Sequence, residues 1–244
     1  MSGRATLATT VRVLRQLRRD RRTLALVFVV APALLALFKA IFADQPQTFD
    51  RVGRPMIGLF PLIMMFLITS IAMLRERTSG TLERLLSLPL AKLDLLLGYA
   101  LAFTVLAALQ GAVTGAVGFG LLGVHARGAA GAVVLLAIVN ALLGLALGLF
   151  LSAFATSEFQ AVQFMPAVLM PQVLLAGLFV PRGRMPHALE VVSDALPVTY
   201  AYDALVKITA DEVDRWFWLD LLVVAGSIAL ALLLGAATLR RRTD

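Results

Sequence analysis

The sequence contains no cysteine, only two histidines and few charged residues. The absence of cysteine excludes a disulfide framework and cysteine-ligated metals. His125 and His187 lie in separate predicted loops, so we expect no metal site. Charged residues make up 15% of the chain and apolar residues 60%, whereas soluble domains carry about 25% and about 45–50%. This composition indicates an integral membrane protein.

Lysine is also scarce, and the positions of the lysines exclude an ATP site in this chain. A P-loop needs a Gly-Lys pair before Ser or Thr, because the lysine reaches the phosphates. Lys39, Lys92 and Lys207 all lack a preceding glycine. The apolar stretches also lack the paired carboxylates, histidine cluster or activated nucleophile of a membrane-embedded enzyme. We therefore expect no catalytic residue and no cofactor bound by this chain.

The net charge of +7 comes almost entirely from arginines that flank apolar stretches. Basic residues in such positions stay on the cytoplasmic side of a membrane and meet anionic head groups. The basic segments have no interleaved aromatic residues. We expect membrane lipid as a partner and no nucleic acid.

Six apolar stretches are long enough to span a membrane, which takes about 20 residues for a core of about 30 Å. The predicted fold is therefore an all-α integral membrane domain, a single unit over residues 1–244. The third stretch is longer than one crossing needs, so we expect tilt or a break near its glycines. The predicted spans have the approximate bounds 23–43, 56–74, 95–124, 132–155, 161–180 and 219–239.

The distribution of Lys and Arg predicts that both termini are cytoplasmic. With six spans, the side that holds the termini carries 14 Lys and Arg residues, and the opposite side carries 7. Cytoplasmic loops are enriched in these residues. The first apolar stretch exceeds the usual signal-peptide core and has no small-x-small site after it, so we expect no cleaved signal peptide.

Two segments outside the spans are expected to lie at the membrane surface. Residues 7–18 place apolar residues at helical spacing with arginines among them, which predicts a basic amphipathic helix on the inner leaflet. Residues 181–218 are too polar to span and contain two possible short helices, 188–195 and 200–208. We place this second segment on the outer face, with Trp216 and Trp218 in the aromatic belt.

A polar island at residues 75–94 separates the second and third spans, with the sequence R-E-R-T-S-G-T-L-E-R-L-L-S-L-P-L-A-K-L-D. The Thr-Ser-Gly run at 78–80 consists of turn or N-cap types. Leucines at 82, 85 and 86 form one apolar helical face, and Pro89 stops the helix. The island therefore predicts a short amphipathic helix parallel to the membrane. On these residues alone, an ordinary charged loop that anchors helix ends explains the pattern equally well.

The first fifteen residues of this island resemble the signature loop of type-2 ABC transporter permeases, the membrane subunits of exporters such as the daunorubicin-resistance type. Residues 174–186, L-L-A-G-L-F-V-P-R-G-R-M-P, and 195–205, A-L-P-V-T-Y-A-Y-D-A-L, are similar to the fifth span and outer re-entrant segment of the same family. The R-R-D-R-R run before the first span also fits. The resemblance covers nearly the whole chain.

This resemblance implies that the island forms a coupling helix, which docks into a cleft on a separate ATPase subunit that binds ATP and Mg. It also implies two copies of this chain with two ATPase subunits, in a bacterial plasma (inner) membrane. The turn at 156–160 would supply a second cytoplasmic contact. The expected coupling residues are Gly80, Thr81, Glu83, Arg84, Leu85 and Glu158.

Polar and bulky residues inside the spans are candidates for a substrate path in the dimer. The alternative for the polar ones is hydrogen bonding between helices, worth about 0.6 kcal/mol on average. The glycine pairs 111/115 and 144/148 have the spacing that permits close helix packing. The candidate path residues are Phe103, Gln110, Asn140, Gln163, Phe164, Met170 and Gln172.

Together these features predict the permease subunit of an ATP-driven exporter for a hydrophobic or amphipathic compound, such as a drug, lipid or polyketide. One alternative is an exporter of polysaccharide or glycolipid. Another is an ion-coupled secondary transporter, which would keep ionisable groups within the spans. The spans carry almost none, and Lys39 lies near an outer end, where it can snorkel to the surface.

Overall fold

The computed structural model describes residues 3–81, 92–124 and 130–238, and every regular element within these ranges is helical. This confirms the all-α prediction. Short π-helical turns follow α4 (Ala116–Leu121) and α6 (Met165–Leu169). The described residues form the α-helices α1 Gly3–Arg19, α2 Arg21–Ile41, α3 Pro46–Thr78, α4 Lys92–Gly115, α5 Ala130–Leu151, α6 Glu158–Phe164, α7 Met170–Leu175, α8 His187–Asp194, α9 Pro197–Ala210 and α10 Arg215–Thr238.

Five of these helical segments are long and apolar enough to cross a membrane. Each corresponds to one of the predicted spans, so the chain is a multi-pass membrane protein. The segments are Arg21–Ile41, Pro46–Thr78, Asp94–Leu121, Ala130–Phe154 and Arg215–Thr238.

The predicted span at 161–180 is helical only in part. It is divided into α6, a π-helical turn and α7, with 7, 5 and 6 residues. Pro166 and Pro171 lie at the starts of the second and third pieces, where the missing N–H interrupts the regular α-helical ladder. The helix ends at Leu175, before the positive-φ Gly177 (φ +106°). A sixth span therefore stays a prediction.

Helix α3 begins ten residues before the predicted second span, and this corrects the loop that we placed at 44–55. Its 33 residues start at Pro46, which occupies the first helical position, where proline's fixed φ and missing N–H are tolerated. Polar residues up to Arg54 continue the same helix. The apolar run predicts where the chain crosses the membrane, whereas the helix extends beyond it.

The long third stretch changes helix type near its glycines, as predicted. The α-helix α4 ends at Gly115, and a π-helical turn continues from Ala116 to Leu121. Gly118 is buried in this turn, and an added Cβ there would lie 2.9 Å from Ile57 Cδ1. The wider turn thus lies where the backbone packs closely on α3.

Helices α3 and α5 form the centre of the fold, and their contact confirms the predicted role of the glycine pair 144/148. A Cβ added at Gly144 would lie 2.0 Å from the backbone oxygen of Leu62. At Gly148 it would lie 2.3 Å from Thr69 Oγ1 and 2.5 Å from the backbone oxygen of Phe66. The two backbones are therefore close enough that only glycine fits.

The predicted N-terminal amphipathic helix is present as α1, and it packs along α4. Val13 is 3% exposed, and Thr10 Oγ1 donates to the Gly98 carbonyl at 3.2 Å. Leu7 and Val11 are 61% and 43% exposed on another side of the helix. One side of α1 is thus bound to the helical bundle. The lipid contact of its exposed side stays a prediction.

The two short helices predicted in the 181–218 segment are confirmed as α8 and α9. Ser193 Oγ, in α8, donates to the Leu175 carbonyl at 2.9 Å, and Thr199 Oγ1, in α9, donates to the Ser193 carbonyl at 2.8 Å. Lys207 in α9 forms an ion pair with Asp220 in α10 at 2.5 Å. These bonds attach the segment to the bundle.

Candidate functional site at the polar island

The polar island begins with a sharp turn at the end of α3. The Ser79 N–H donates to the Arg75 carbonyl at 2.9 Å and closes the last helical turn. Gly80 follows with φ +70°, the left-handed conformation that commonly ends helices at glycine. A Cβ at Gly80 would meet no atom within 4 Å, so backbone conformation and not space favours glycine here. Ser79 and Gly80 form the turn, whereas Thr78 is the last residue of α3.

The structure places only part of the predicted coupling set. Gly80 and Thr81 lie at the start of the island, where Ser79 Oγ and Thr81 Oγ1 are 3.0 Å apart. Glu83, Arg84 and Leu85 lie outside the described residues.

Glu76, one turn before this bend, is a buried carboxylate shared by three helices. It is 7% exposed, and its Oε1 accepts from Arg12 Nη1 at 3.4 Å and from Gln16 Nε2 at 3.3 Å. Arg12 Nη2 also donates to the Tyr99 hydroxyl at 2.5 Å, with the guanidinium 5.6 Å from the ring centroid. These contacts connect α1, α3 and α4 directly at the start of the island.

Arg75 connects the island to the second predicted cytoplasmic contact. Its Nε and Nη2 donate to the two carboxylate oxygens of Glu158, at the start of α6, at 2.8 and 3.0 Å. These two hydrogen bonds hold the pKa of Glu158 below its ordinary value. Both side chains are more than half exposed, so the pair is also accessible to a partner. The two segments that the sequence predicts as contacts are therefore neighbours in the fold.

Asp20, between α1 and α2, extends this arrangement. Its carboxylate accepts from the Thr23 N–H at 3.1 Å and from the Thr23 hydroxyl at 2.6 Å, which caps α2. These bonds lower its pKa, and the positive charge of nearby Arg75 contributes in the same direction. The start of α2 is thus electrostatically linked to the end of α3.

We call the set of Arg12, Gln16, Arg75, Glu76, Tyr99 and Glu158 the polar-island junction. A cleft of about 380 Å³ lies beside it, between the end of α1 and the bend at Gly80. Hydroxyl, guanidinium and carboxylate groups face this cleft, so it can bind polar side chains of another protein. Its lining residues are Gln16, Arg75, Glu76, Thr78, Ser79 and Thr81.

The predicted substrate-path residues are not brought together. Phe103 is buried beside α1, in an apolar cluster separate from the one that Phe164 and Met170 border. Asn140 Nδ2 donates to the Ala201 carbonyl at 3.2 Å, which is the interhelical hydrogen bond of the alternative interpretation. Gln163 is exposed on α6.

The two remaining path residues, Gln110 and Gln172, are buried. Gln172 Nε2 donates to the Val168 carbonyl within its own helical segment at 3.1 Å. Within the described ranges, neither polar side-chain atom of Gln110 has a hydrogen-bond partner. In the described part of the chain, no group of three or more His, Asp or Glu side chains is arranged to hold a metal ion.

Sequence reasoning missed the buried half of the junction. The pattern at residues 7–18 predicts a surface helix but no buried partner for Arg12, and the resemblance implies no role for Glu76. The signal was the R-E-R run directly after an apolar stretch, because a lone carboxylate at a membrane boundary needs a partner. Tyr99 had no such signal, since its partner is 87 residues away in the chain.

The fold and the junction together indicate a multi-pass helical membrane protein in which a polar cluster joins several helices at the end of one span. The profile of the ABC-2 type transporter family matches residues 4–209. This chain therefore belongs to the ABC-2 type transporter family, as a type-2 ABC permease.

Individual relatives agree with this assignment. The chain is 28% identical over 187 residues to "Probable multidrug ABC transporter permease YbhR" of Escherichia coli K12, covering 72% of this chain and 50% of the relative. It is 24% identical over 196 residues to "ABC transporter G family member 20" of Dictyostelium discoideum, covering 79% and 27%. "Probable multidrug ABC transporter permease YbhS" of E. coli K12 is 28% identical over 140 residues. The chain thus spans half or less of the length of these relatives.

Proposed function

We propose that this chain is the membrane subunit of an ATP-driven exporter and that the polar-island junction receives the motion of a separate ATPase subunit. The bidentate Arg75–Glu158 pair carries this proposal, because it joins the two segments expected to touch that subunit. Two copies of the chain would work with two ATPase subunits. ATP and Mg would bind only to those subunits.

Transmission would follow the contacts of the junction. A push on the island moves the end of α3, and with it Arg75 and Glu76. Arg75 carries the movement to α6 through Glu158, while Glu76 carries it to α1 and α4 through Arg12 and Tyr99. The close α3–α5 contact at Gly144 makes α3 move as a rigid element.

We further propose that the α6–α7 segment is a sixth span and that both termini are cytoplasmic, in a bacterial inner membrane. Its 7, 5 and 6 residues follow one another without a gap, and together they approach the length that a membrane crossing needs. An even number of spans agrees with the excess of Lys and Arg on the terminal side.

The proposed cargo is a hydrophobic or amphipathic compound, moved outward from the cytoplasm or inner leaflet. Two E. coli relatives are named as multidrug permeases, and this supports the cargo class by similarity. The dimer would enclose the transport path. Within one copy, Phe103 belongs to one apolar cluster, and Phe164 and Met170 border another.

Charge reversal in the island tests this function. Glu83→Lys is expected to reduce transport and transport-stimulated ATP hydrolysis, because it changes the charge that the island presents to the ATPase subunit. Activity is measured in vesicles that contain both subunits, and folding by the thermal midpoint of the purified chain. Glu212→Lys makes the same change on the exposed loop before α10 and is expected to leave activity intact. Normal activity in Glu83→Lys would contradict the coupling role.

A further inference from the structure

A second polar region lies at the opposite end of α3, around a cavity of about 790 Å³. The first turns of α3 form one wall, α9 forms another, and the segment that follows α7 closes it. The charged residues in its lining are Asp50, Arg51, Arg54, Arg182 and Asp203.

The arginines of this lining differ in how many carboxylate partners they have. Arg182 is held by two carboxylates: Nη1 donates to Asp203 at 2.8 Å, and Nη2 donates to Asp194. Arg51, in contrast, is exposed and forms no hydrogen bond or ion pair in the part of the chain that the structure describes. Arg182 therefore supports the wall, and Arg51 remains available to a ligand.

Arg54 is intermediate between these two cases. Its Nη2 lies 3.6 Å from Asp50, which is an ion pair but not a close hydrogen bond. Its Nε is buried and has no hydrogen-bond partner among the residues that the structure describes. Arg51 and Arg54 are three residues apart on one helix, so their side chains are neighbours on the same face. Two guanidinium groups with unused donors thus meet at one cavity.

The position of this cavity along α3 corresponds to the head-group level of a bilayer. Residues 56–74 make an apolar stretch about 28 Å long at 1.5 Å per residue, close to the hydrocarbon thickness of about 30 Å. Arg54 lies two positions before this stretch, and Arg51 lies about one helical turn further out. Both guanidinium groups are therefore placed where lipid phosphates lie.

Exposed apolar side chains lie in and next to the lining of this cavity. Phe179 and Val180, next to the lining residue Pro181, are 68% and 46% exposed, and Val206 in the α9 wall is 39% exposed. A small soluble anion would gain no binding energy from these apolar side chains, whereas acyl chains can pack against them. Charge and apolar surface together match a phospholipid.

We propose that Arg51 and Arg54 bind the phosphate of a bilayer phospholipid, whose acyl chains lie along Phe179, Val180 and Val206. Arginine binds phosphate through paired N–H donors, and both Arg51 and Arg54 line the cavity. This proposal requires only that the chain is a membrane protein. It is therefore independent of the proposed coupling to an ATPase subunit.

Binding of phosphatidylglycerol to the purified chain in detergent, followed by native mass spectrometry, tests the site. The double variant Arg51→Gln/Arg54→Gln is expected to weaken binding about tenfold or more, because charged hydrogen bonds are lost. Arg51→Gln alone is expected to weaken binding by a smaller factor, and it breaks no hydrogen bond or ion pair in the described part of the chain. Arg184→Gln, an exposed change on the same outer segment but outside the cavity lining, serves as the matched control.

Two further ligands identify the source of the phosphate. Diacylglycerol, which lacks the phosphate, is expected to bind equally weakly to all variants. Inorganic phosphate at millimolar concentration is expected not to displace the lipid. Equal phosphatidylglycerol binding in Arg51→Gln and the unaltered chain would overturn the site, and displacement by inorganic phosphate would overturn the lipid as its ligand.

Discussion

The two ends of α3 use arginine and carboxylate in opposite ways. At the island end, Glu76 is buried and bound by side chains 60 and 64 residues away in sequence. At the other end, the Arg54–Asp50 pair is local, four residues apart at 3.6 Å, and Arg51 beside it has no described partner. The first arrangement holds separate helices together, and the second leaves positive charge available for a ligand.

This difference shows that the type of charged residue does not decide its role. Both ends present Arg and an acid next to an apolar run. A buried carboxylate needs hydrogen bonds, because burying it without a partner is costly, and such bonds fix the helices that supply them. A local pair between residues i and i+4 of one helix contributes only about 0.3–0.5 kcal/mol. The role of the charged residues at each end of α3 therefore depends on their burial and on whether their partners come from other helices.

The largest expected loss of stability comes from the contact between α5 and the middle of α3, which lies between the two ends. Gly144→Ala places a Cβ 2.0 Å from the Leu62 backbone oxygen, and backbone atoms cannot move aside as a side chain can. We expect destabilisation of about 3 kcal/mol or more, measured as the thermal midpoint and folded yield in detergent. Gly131→Ala, in the same helix with no atom within 4 Å, is the control and should be tolerated. An unchanged midpoint in Gly144→Ala would contradict the close α3–α5 contact.

A smaller effect is expected at the island end. Glu76→Ala leaves Arg12 with Tyr99 as its remaining side-chain partner, and we expect a cost of about 1–3 kcal/mol. Because Glu76 links α1 to α3, the arginines of α1 should become more accessible to trypsin in this variant. Arg54→Gln, which breaks the local pair at the other end, should cost at most about 0.5 kcal/mol. Equal losses in the two variants would remove the distinction between the ends.

A small effect is also expected from pH at the exposed Arg75–Glu158 pair. The pKa of Glu158 is lowered in the folded chain, so the pair stabilises the fold above the ordinary pKa of about 4.5 and loses this effect as the pH falls through the lowered value. We expect Glu158→Gln to reduce stability at pH 7 by about 1 kcal/mol or less. At pH 3 the variant and the unaltered chain should differ less. A difference that grows on acidification would contradict this assignment of the pair.

The fold could be predicted largely from the apolar stretches, because membrane crossing imposes length and composition directly. Five predicted stretches match helices long enough to span, and the glycine pair 144/148 marks a close contact as expected. The start of α3 could not be predicted in this way. Residues 46–55 are polar, and hydropathy does not distinguish a polar helix extension from a loop.

The junction could be predicted only in its exposed part. Glu158 is expected from the resemblance, and the structure adds that it is joined to the island through Arg75. The Arg12–Glu76–Tyr99 cluster depends on three helices meeting. Helical periodicity shows which residues share a face of one helix, but it does not show which helices pack together.

The most direct test of ATP-driven coupling through the polar island is to purify this chain from its native membranes in mild detergent and identify the accompanying proteins by mass spectrometry. We expect a subunit with ATP-binding Walker motifs at close to one copy per chain. We also expect this subunit to be lost when Glu83 is changed to Lys. A chain that repeatedly purifies folded and without such a subunit would contradict ATP-driven coupling through the polar island.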